Sequence, residues 1–326
     1  MAWGNGAYVI HEILANSIPG YHIHGYNPYW TLVPPALPLV CNSDTTPDIL
    51  HSTPDYAWFF KKKDIPLIIT FHNYVLDGFM REYSSLAQRI HYATDLKFFT
   101  RKALQHADAV TSVSRFTADM VRRDLGFKGS IRVIYNGIDT DRFYPQQRTA
   151  RKTIRVLFSG NLTRRKGADL LPRIARRLDR NIEIVYTRGL RTSGKLPNLP
   201  NMRHIGSIPY SKMPETYQNV DLLLLPTVRE GFVLAAIEAM ACGLPVVATD
   251  CSSLPELIVH GKGGFLCELG NVQEFADRIN TLAASPDVRK KMGEYNRARV
   301  EQKFTLERMI KEYKELFEDV LSTAGV

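Results

Sequence analysis

Two short apolar runs flanking a helix-length apolar segment constrain this chain more than any other feature. Residues 220–226, V-D-L-L-L-L-P, and residues 245–249, P-V-V-A-T, are each the length of a strand. Near-continuous apolar runs of that length belong to strands buried on both faces, as in a parallel sheet. Residues 233–242 between them, V-L-A-A-I-E-A-M-A-C, read as a buried helix, and Gly243 follows where the helix should stop. Strand, turn, helix, glycine, strand is a βαβ unit, and ligands of open parallel sheets bind beyond the carboxyl ends of the strands. The turn at residues 227–233, T-V-R-E-G-F-V, lies at such an end.

That turn leads into a helix N-terminus, where the backbone N–H groups of Gly231, Phe232 and Val233 would point outward and favour phosphate. Glu230 opens the turn and Glu238 follows eight residues later. A carboxylate on an otherwise apolar helix is costly to bury unless it accepts hydrogen bonds, for instance from a ribose diol. The plain alternative makes Glu230 a first-turn acid that complements the helix dipole, and Glu238 one half of a structural salt bridge.

The sequence E-G-F-V-L-A-A-I-E-A-M-A-C-G-L-P-V-V-A-T resembles the E-x7-E signature of retaining glycosyltransferases with two Rossmann-like domains, the GT-B fold, family four. The resemblance implies that Glu230 meets the hydroxyls of a donor sugar, that the backbone of Gly231 to Val233 holds the diphosphate, and that Glu238 binds the ribose. Val233 departs from the pattern, which often has a second glycine there; its branched side chain would narrow the sugar pocket.

With 326 residues the chain accommodates two domains of ordinary size. Its four cysteines, Cys41, Cys242, Cys251 and Cys267, lack C-x-x-C spacing, so neither a zinc site nor a disulfide framework is indicated and a reducing compartment fits. No signal-peptide pattern opens the chain, and the longest apolar candidate, residues 31–40, is broken by three prolines and cannot span a bilayer. The expectation is a cytoplasmic protein that associates with the inner face of the plasma membrane. Net charge is +9, and residues 148–195 carry fourteen Lys or Arg against three acids. Such a block points to anionic partners or to a solvated face.

In the first half, residues 7–18 read as a helix and residues 21–26, 48–53, 66–71, 109–114 and 131–135 as strands, with a helix after Ser114 as its N-cap. G-N-G-A-Y, with Gly4 and Gly6, resembles the family's glycine-rich loop that approaches the donor phosphates, yet no first strand precedes it. The aromatic, proline-rich residues 27–40 have no period, and read as a loop packed on this domain or as a contact for an amphiphilic acceptor or membrane. T-F-H-N places His72 at a strand's carboxyl end, where an imidazole can bond a sugar hydroxyl or a phosphate. Resemblance to the family's T-x-H motif favours that role, whereas His22, His24 and His51 read as structural. Lys97, Arg101, Lys102, Arg115, Arg122 and Arg123 form a basic surface suited to anionic membrane or to solvent. N-G-I-D-T-D-R-F-Y-P, residues 136–145, matches the family's domain boundary, and residues 146–153 read as the linker.

The second half opens with a strand at residues 154–159 and G-N-L-T-R-R-K-G at residues 160–167, followed by a helix near Asp169. Arg164, Arg165 and Lys166 are what holding a diphosphate without a metal requires. The family usually has Arg at the position of Asn161, so Arg164 or Arg165 would substitute for that contact. Strands at residues 182–187 and 202–206 follow, and the family's base-recognition edge falls near Ile208. Residues 286–303 and 306–321 read as amphipathic helices, the last crossing back to the first domain.

The expected fold is α/β, with two Rossmann-like domains facing a cleft: residues 1–145, residues 146–304, and a returning helix at residues 305–326. The expected activity is metal-free, retaining transfer of a sugar from a UDP- or GDP-sugar to an acceptor hydroxyl of a saccharide or lipid-linked acceptor, with His72, Glu230 and Lys166 catalytic and no nucleic-acid partner. A same-fold nucleotide-sugar epimerase and a non-catalytic nucleotide or polyanion binder are the rival readings.

Overall fold

The computed structural model describes residues 6–41, 46–146, 151–189 and 195–324. It divides into two compact units, Met1–Asn136 with Glu307–Val326, and Gly137–Leu306. The division falls after residue 136 and not after residue 145. Residues 138–143 already belong to the second unit, where Ile138 N donates to Phe304 O at 2.8 Å and Phe143 packs against Tyr217.

In the first unit, α1 (Gly6–Ser17), α2 (Leu37–Val40), α3 (Leu86–His91), α4 (Lys97–His106) and α5 (Arg115–Leu125) accompany β1 (Leu50–Ser52), β2 (Leu67–Phe71), β3 (Ala109–Ser112) and β4 (Arg132–Val133). All four strands are parallel and pair in sequence order. Leu67, Ile69 and Phe71 face one side of the sheet and join Val110 with Ala103, Leu104, Ala118, Met120, Val121 and Leu125 of α4 and α5 in one core. The alternate positions face the other side, and there Thr70 lies in register with Thr111. Helix α5 has the expected N-cap: Ser114 Oγ accepts from Thr117 N at 3.1 Å.

One expectation fails here. Residues 21–25 form no strand; Gly20 turns the chain, and Tyr21 sends its hydroxyl to His11 and His51 instead of joining a ladder. Residues 28–40 form 3₁₀ turns leading into α2; the segment packs on this unit through Leu37, buried among Tyr26, Tyr56 and Leu96, while Tyr29, Leu32 and Leu39 are 80%, 80% and 77% exposed. Each short turn can hide only one side of itself. Among the described residues no strand precedes β1, which is an edge of this sheet.

The second unit contains β5 (Ile154–Phe158), α6 (Leu171–Ala175), β6 (Ile182–Tyr186), β7 (Met202–His204), α7 (Met213–Gln218), β8 (Leu222–Leu225), α8 (Leu234–Ala241), β9 (Val246–Thr249), α9 (Leu254–Leu257), β10 (Gly264–Cys267), α10 (Val272–Ala284) and α11 (Pro286–Lys303). Its six parallel strands run in the order β10-β9-β8-β5-β6-β7. Counted from the first strand of the unit, that is the doubly wound order 3-2-1-4-5-6 read from the other edge. Strands β8 and β9 are fully buried, as unbroken apolar runs require. Helix α11 is pinned by buried Asn296, whose amide donates to Leu244 O at 2.7 Å and Gly263 O at 2.6 Å. The last helix, α12 (Leu306–Ala324), belongs to the first unit, where Arg132 bonds Glu315 and Asp319 at 3.1 and 3.0 Å.

Candidate functional site

A doubly wound sheet has one switch point, where the connections leave in opposite directions and a crevice opens at the carboxyl ends. In the second unit it lies between β5 and β8, which pair through Val156 with Leu222 and Leu157 with Leu223. The two segments that leave those strands are residues 159–167 and residues 226–233, the sequences singled out for phosphate and for the first glutamate.

They are locked together. Arg164–Lys166 form a 3₁₀ turn closed by Gly167 in the left-handed region at φ 73°. A Cβ on Gly167 would stand 2.0 Å from Pro226 O, so the turn rests directly on the end of β8. Val228 N donates to Arg165 O at 2.9 Å, and Thr227 Oγ1 lies 3.0 Å from the same oxygen. This clasp brings Lys166 Nζ to 2.5 Å from Glu230 Oε1, which also accepts from Thr227 Oγ1 at 2.9 Å. Glu230 is 7% exposed. Burial would push its carboxyl up, but the charges of Lys166 and Arg165 and the two hydrogen bonds outweigh it and hold the group below the usual carboxylate range. Both donors take Oε1.

Arg165 is half-buried and its guanidinium reaches Arg229 O at 3.4 Å, whereas Arg164 is exposed. Asn161 is half-buried against Gly189. Ile208 is half-buried in the segment after β7. The helix α8 starts at Leu234, later than expected, so Gly231, Phe232 and Val233 form the buried approach to it, and N-cap Val233 supplies no side-chain cap. Gly4 lies outside the described residues. Gly6 is the first residue of α1, and a Cβ there would meet nothing within 4 Å, so no close backbone approach within the protein calls for glycine.

Glu238 sits on α8 with 6% exposure, and its Oε2 accepts from Tyr217 Oη at 2.7 Å. Burial pushes its carboxyl up to about 7 against the pull of Tyr217, Arg142 and Tyr210. The structural salt bridge of the plain alternative is absent among the described residues: the partner is a phenol. Arg142 stacks over Tyr210 at 4.5 Å and donates to its carbonyl at 2.9 Å. Thr227, Tyr217, Tyr210 and Arg142 were not picked out from the sequence. Only Thr227, a hydroxyl three residues before Glu230, left a signal there.

In the first unit His72 follows β2 directly, as expected, and its Nε2 lies 3.1 Å from Nε2 of His11, a buried residue of α1. Burial lowers His72 to about 4, so it is a neutral imidazole near pH 7. His51, read as structural, and Tyr21 belong to the same cluster. Among the described residues, no three His, Cys, Asp or Glu side chains are grouped to hold a metal ion, and no helix is long and apolar enough to cross a membrane.

The chain matches the sequence model of Glycosyl transferases group 1 over residues 139–299, and that of Glycosyltransferase Family 4 over residues 8–142. An uncharacterized glycosyltransferase of Methanocaldococcus jannaschii is 25% identical over 69% of this chain and 63% of its own length. A D-inositol 3-phosphate glycosyltransferase of Corynebacterium jeikeium is 32% identical over 57% of this chain and 52% of its own, so the chain spans little more than half the length of such relatives. The fold is that of Anabaena HepE, solved in complex with UDP and glucose, with a TM-score of 0.75 at 17% identity over 96% of both chains. Sucrose-phosphate synthase from Thermosynechococcus elongatus shares it with a TM-score of 0.74 at 20% identity over 85% of this chain and 74% of that one.

Proposed function

We infer that this chain, which belongs to the group 1 glycosyltransferases of the GT-B fold, transfers a sugar with retention from a UDP- or GDP-sugar to an acceptor hydroxyl without a metal ion. The observation that carries the reading is the clasp of Lys166, Arg165 and Glu230 at the switch point of the second unit. A donor's diphosphate would lie along residues 160–167, facing Lys166 and Arg165. These cations are fixed before reaction and meet negative charge as it grows on the leaving phosphate, the electrostatic term that usually dominates. With Oε1 occupied, Glu230 Oε2 would accept from a sugar hydroxyl, and ionised Glu238 would accept from the ribose diol.

In the step itself the bond from the anomeric carbon to the phosphate oxygen breaks, and a bond to the acceptor oxygen forms on the same face. The acceptor proton passes to the departing phosphate. No protein carboxylate is assigned as a nucleophile, and His72, neutral, would hydrogen-bond the sugar. Exposed Tyr29, Leu32 and Leu39 together with Arg101 support an acceptor that is lipid-linked and presented at an anionic membrane, as in the synthesis of surface polysaccharide, lipopolysaccharide or glycolipid.

The test is release of nucleoside diphosphate from a panel of UDP- and GDP-sugars with and without EDTA, with the product anomer read by proton NMR. The expected result is release with one nucleotide class, unchanged by chelator, and a product of the donor's anomeric configuration. An inverted product, or activity lost to EDTA and restored by Mg²⁺, contradicts the mechanism.

A further inference from the structure

The second face of the first unit's sheet carries a file of polar side chains where aliphatics would ordinarily pack: His11, Thr70 and Thr111 are buried, and Tyr21, His51 and His72 half-buried. His11 is 2% exposed and stands between His72 and Tyr21, its ring 4.6 Å from His51 and 5.1 Å from His72. The hydrogen bonds run in single file. His72 Nε2 meets His11 Nε2 at 3.1 Å, and His11 Nδ1 meets Tyr21 Oη at 2.6 Å. Tyr21 Oη meets His51 Nδ1 at 2.8 Å, His51 Nε2 meets Thr70 Oγ1 at 2.7 Å, and Thr70 Oγ1 meets Thr111 Oγ1 at 2.5 Å. From α12, Tyr313 and Phe317 pack their rings on His51, each 5.6 Å away. Among the described residues no carboxylate or cation bonds any of the three imidazoles.

Burial lowers all three, His51 to about 3 with His72 adding to the effect, so each ring is neutral and carries one N–H and one bare nitrogen. With each hydroxyl proton kept within the file, the direction of one bond fixes all the others. If His72 Nε2–H donates to His11, then His11 Nδ1–H donates to Tyr21, Tyr21 O–H to His51 Nδ1, His51 Nε2–H to Thr70, and Thr70 O–H to Thr111; His72 Nδ1 is then bare and accepts. In the reverse order Thr111 donates to Thr70 and the sense of every bond inverts. His11 Nε2–H donates to His72 and the His72 proton sits on Nδ1, which donates. Neither order leaves a bond without its proton, and neither changes the net charge.

A histidine that meets substrate usually has its tautomer set by a carboxylate or backbone group on its second nitrogen. Here an imidazole and the file behind it occupy that place. We propose that His11, Tyr21, His51 and Thr70 form a proton-ordered chain that positions His72 and decides whether its Nδ1 donates or accepts a hydrogen bond at the sugar. The role at the sugar rests on the transferase reading of His72; the chain itself does not.

The test combines ring-nitrogen NMR of ¹⁵N-histidine-labelled protein with kinetics on Tyr21→Phe, which removes the central hydroxyl and keeps the ring. In the wild type at pH 7, His11, His51 and His72 should each show one protonated and one bare nitrogen. Tyr21→Phe should convert His11 and His72 to tautomer mixtures and lower kcat by roughly tenfold, less than the 10²–10⁴-fold that a proton-transferring group itself supplies. Nucleotide affinity should be unchanged. The pair His11→Gln, whose amide still reaches His72 Nε2, and His11→Phe, which cannot bond it, is the control for folding: the Gln variant should retain several-fold more kcat. Unchanged His72 nitrogen shifts and kcat in Tyr21→Phe, or equal kcat in the two His11 variants, would overturn the proposal. If the wild type transfers no sugar, the role assigned to His72 fails, while the nitrogen shifts still decide whether the chain exists.

Discussion

The sharpest consequence of the structure concerns Glu238 and pH. Its carboxyl is raised by burial from 4.5 to about 7, so at neutral pH it is a mixture of acid and carboxylate. A ribose diol donates hydrogen bonds, and it prefers the carboxylate, which accepts on both oxygens. If only the ionised form binds, about one tenth of the protein is competent at pH 6 and about nine tenths at pH 8. Affinity for an intact nucleotide sugar should therefore rise about tenfold across that interval, or ~1.4 kcal/mol. Calorimetric titration at pH 6, 7 and 8 measures this. An intact nucleotide sugar is the right ligand, because the terminal phosphate of a free diphosphate titrates in the same range. Glu238→Gln keeps the shape and removes the titration, so its weaker affinity should be flat with pH. The same linkage acts on folding. The folded protein holds a proton on Glu238 that the unfolded chain releases above 4.5, so this contribution is full below 4.5 and is lost as pH rises through about 7. A wild-type affinity independent of pH, or an equal slope in Glu238→Gln, would refute the assignment of the ribose to this carboxylate.

The remaining predictions fall on the clasp and on His72. Lys166→Ala removes the cation 2.5 Å from Glu230 and should lower kcat by roughly 10²–10³, the range for one preorganised transition-state donor; steady-state rates with saturating donor check it. Gly167→Ala forces a side chain into φ 73° and against Pro226 O, costing roughly 2–4 kcal/mol of stability, read by denaturant unfolding. His72→Ala should reduce turnover while the Kd for nucleotide stays within error in calorimetry, because nucleotide contacts are assigned to the second unit.

The βαβ unit at residues 220–249 was legible because strands buried on both faces leave unbroken apolar runs and a buried helix leaves another. Helix α10 was legible and overlooked: Val272, Phe275, Ala276, Ile279 and Leu282 are buried at helical spacing. Residues 21–26 show the limit of alternation, since Tyr21 is drawn inward by imidazoles and not by a neighbouring strand. The individual members Lys166 and Glu230 could be read from their loops, but their contact across 64 residues depends on the strand order of the sheet. Tyr217, the partner of Glu238, comes from a separate short helix with no distinguishing pattern. The histidine file was invisible for the same reason: each member lies on a different element, and only the packing of α1 and α12 on one polar face brings them together.

The central claim is that the second unit holds a nucleotide diphosphate between Lys166 and Glu238. Isothermal titration of the wild type and of Glu238→Ala with UDP, GDP and ADP tests it directly. The account predicts saturable binding of UDP or GDP to the wild type, weakened in the variant by about 1.5–3 kcal/mol, the range for hydrogen bonds to a charged group. A folded wild-type protein that binds none of the three, or a Glu238→Ala variant with wild-type affinity, would contradict it.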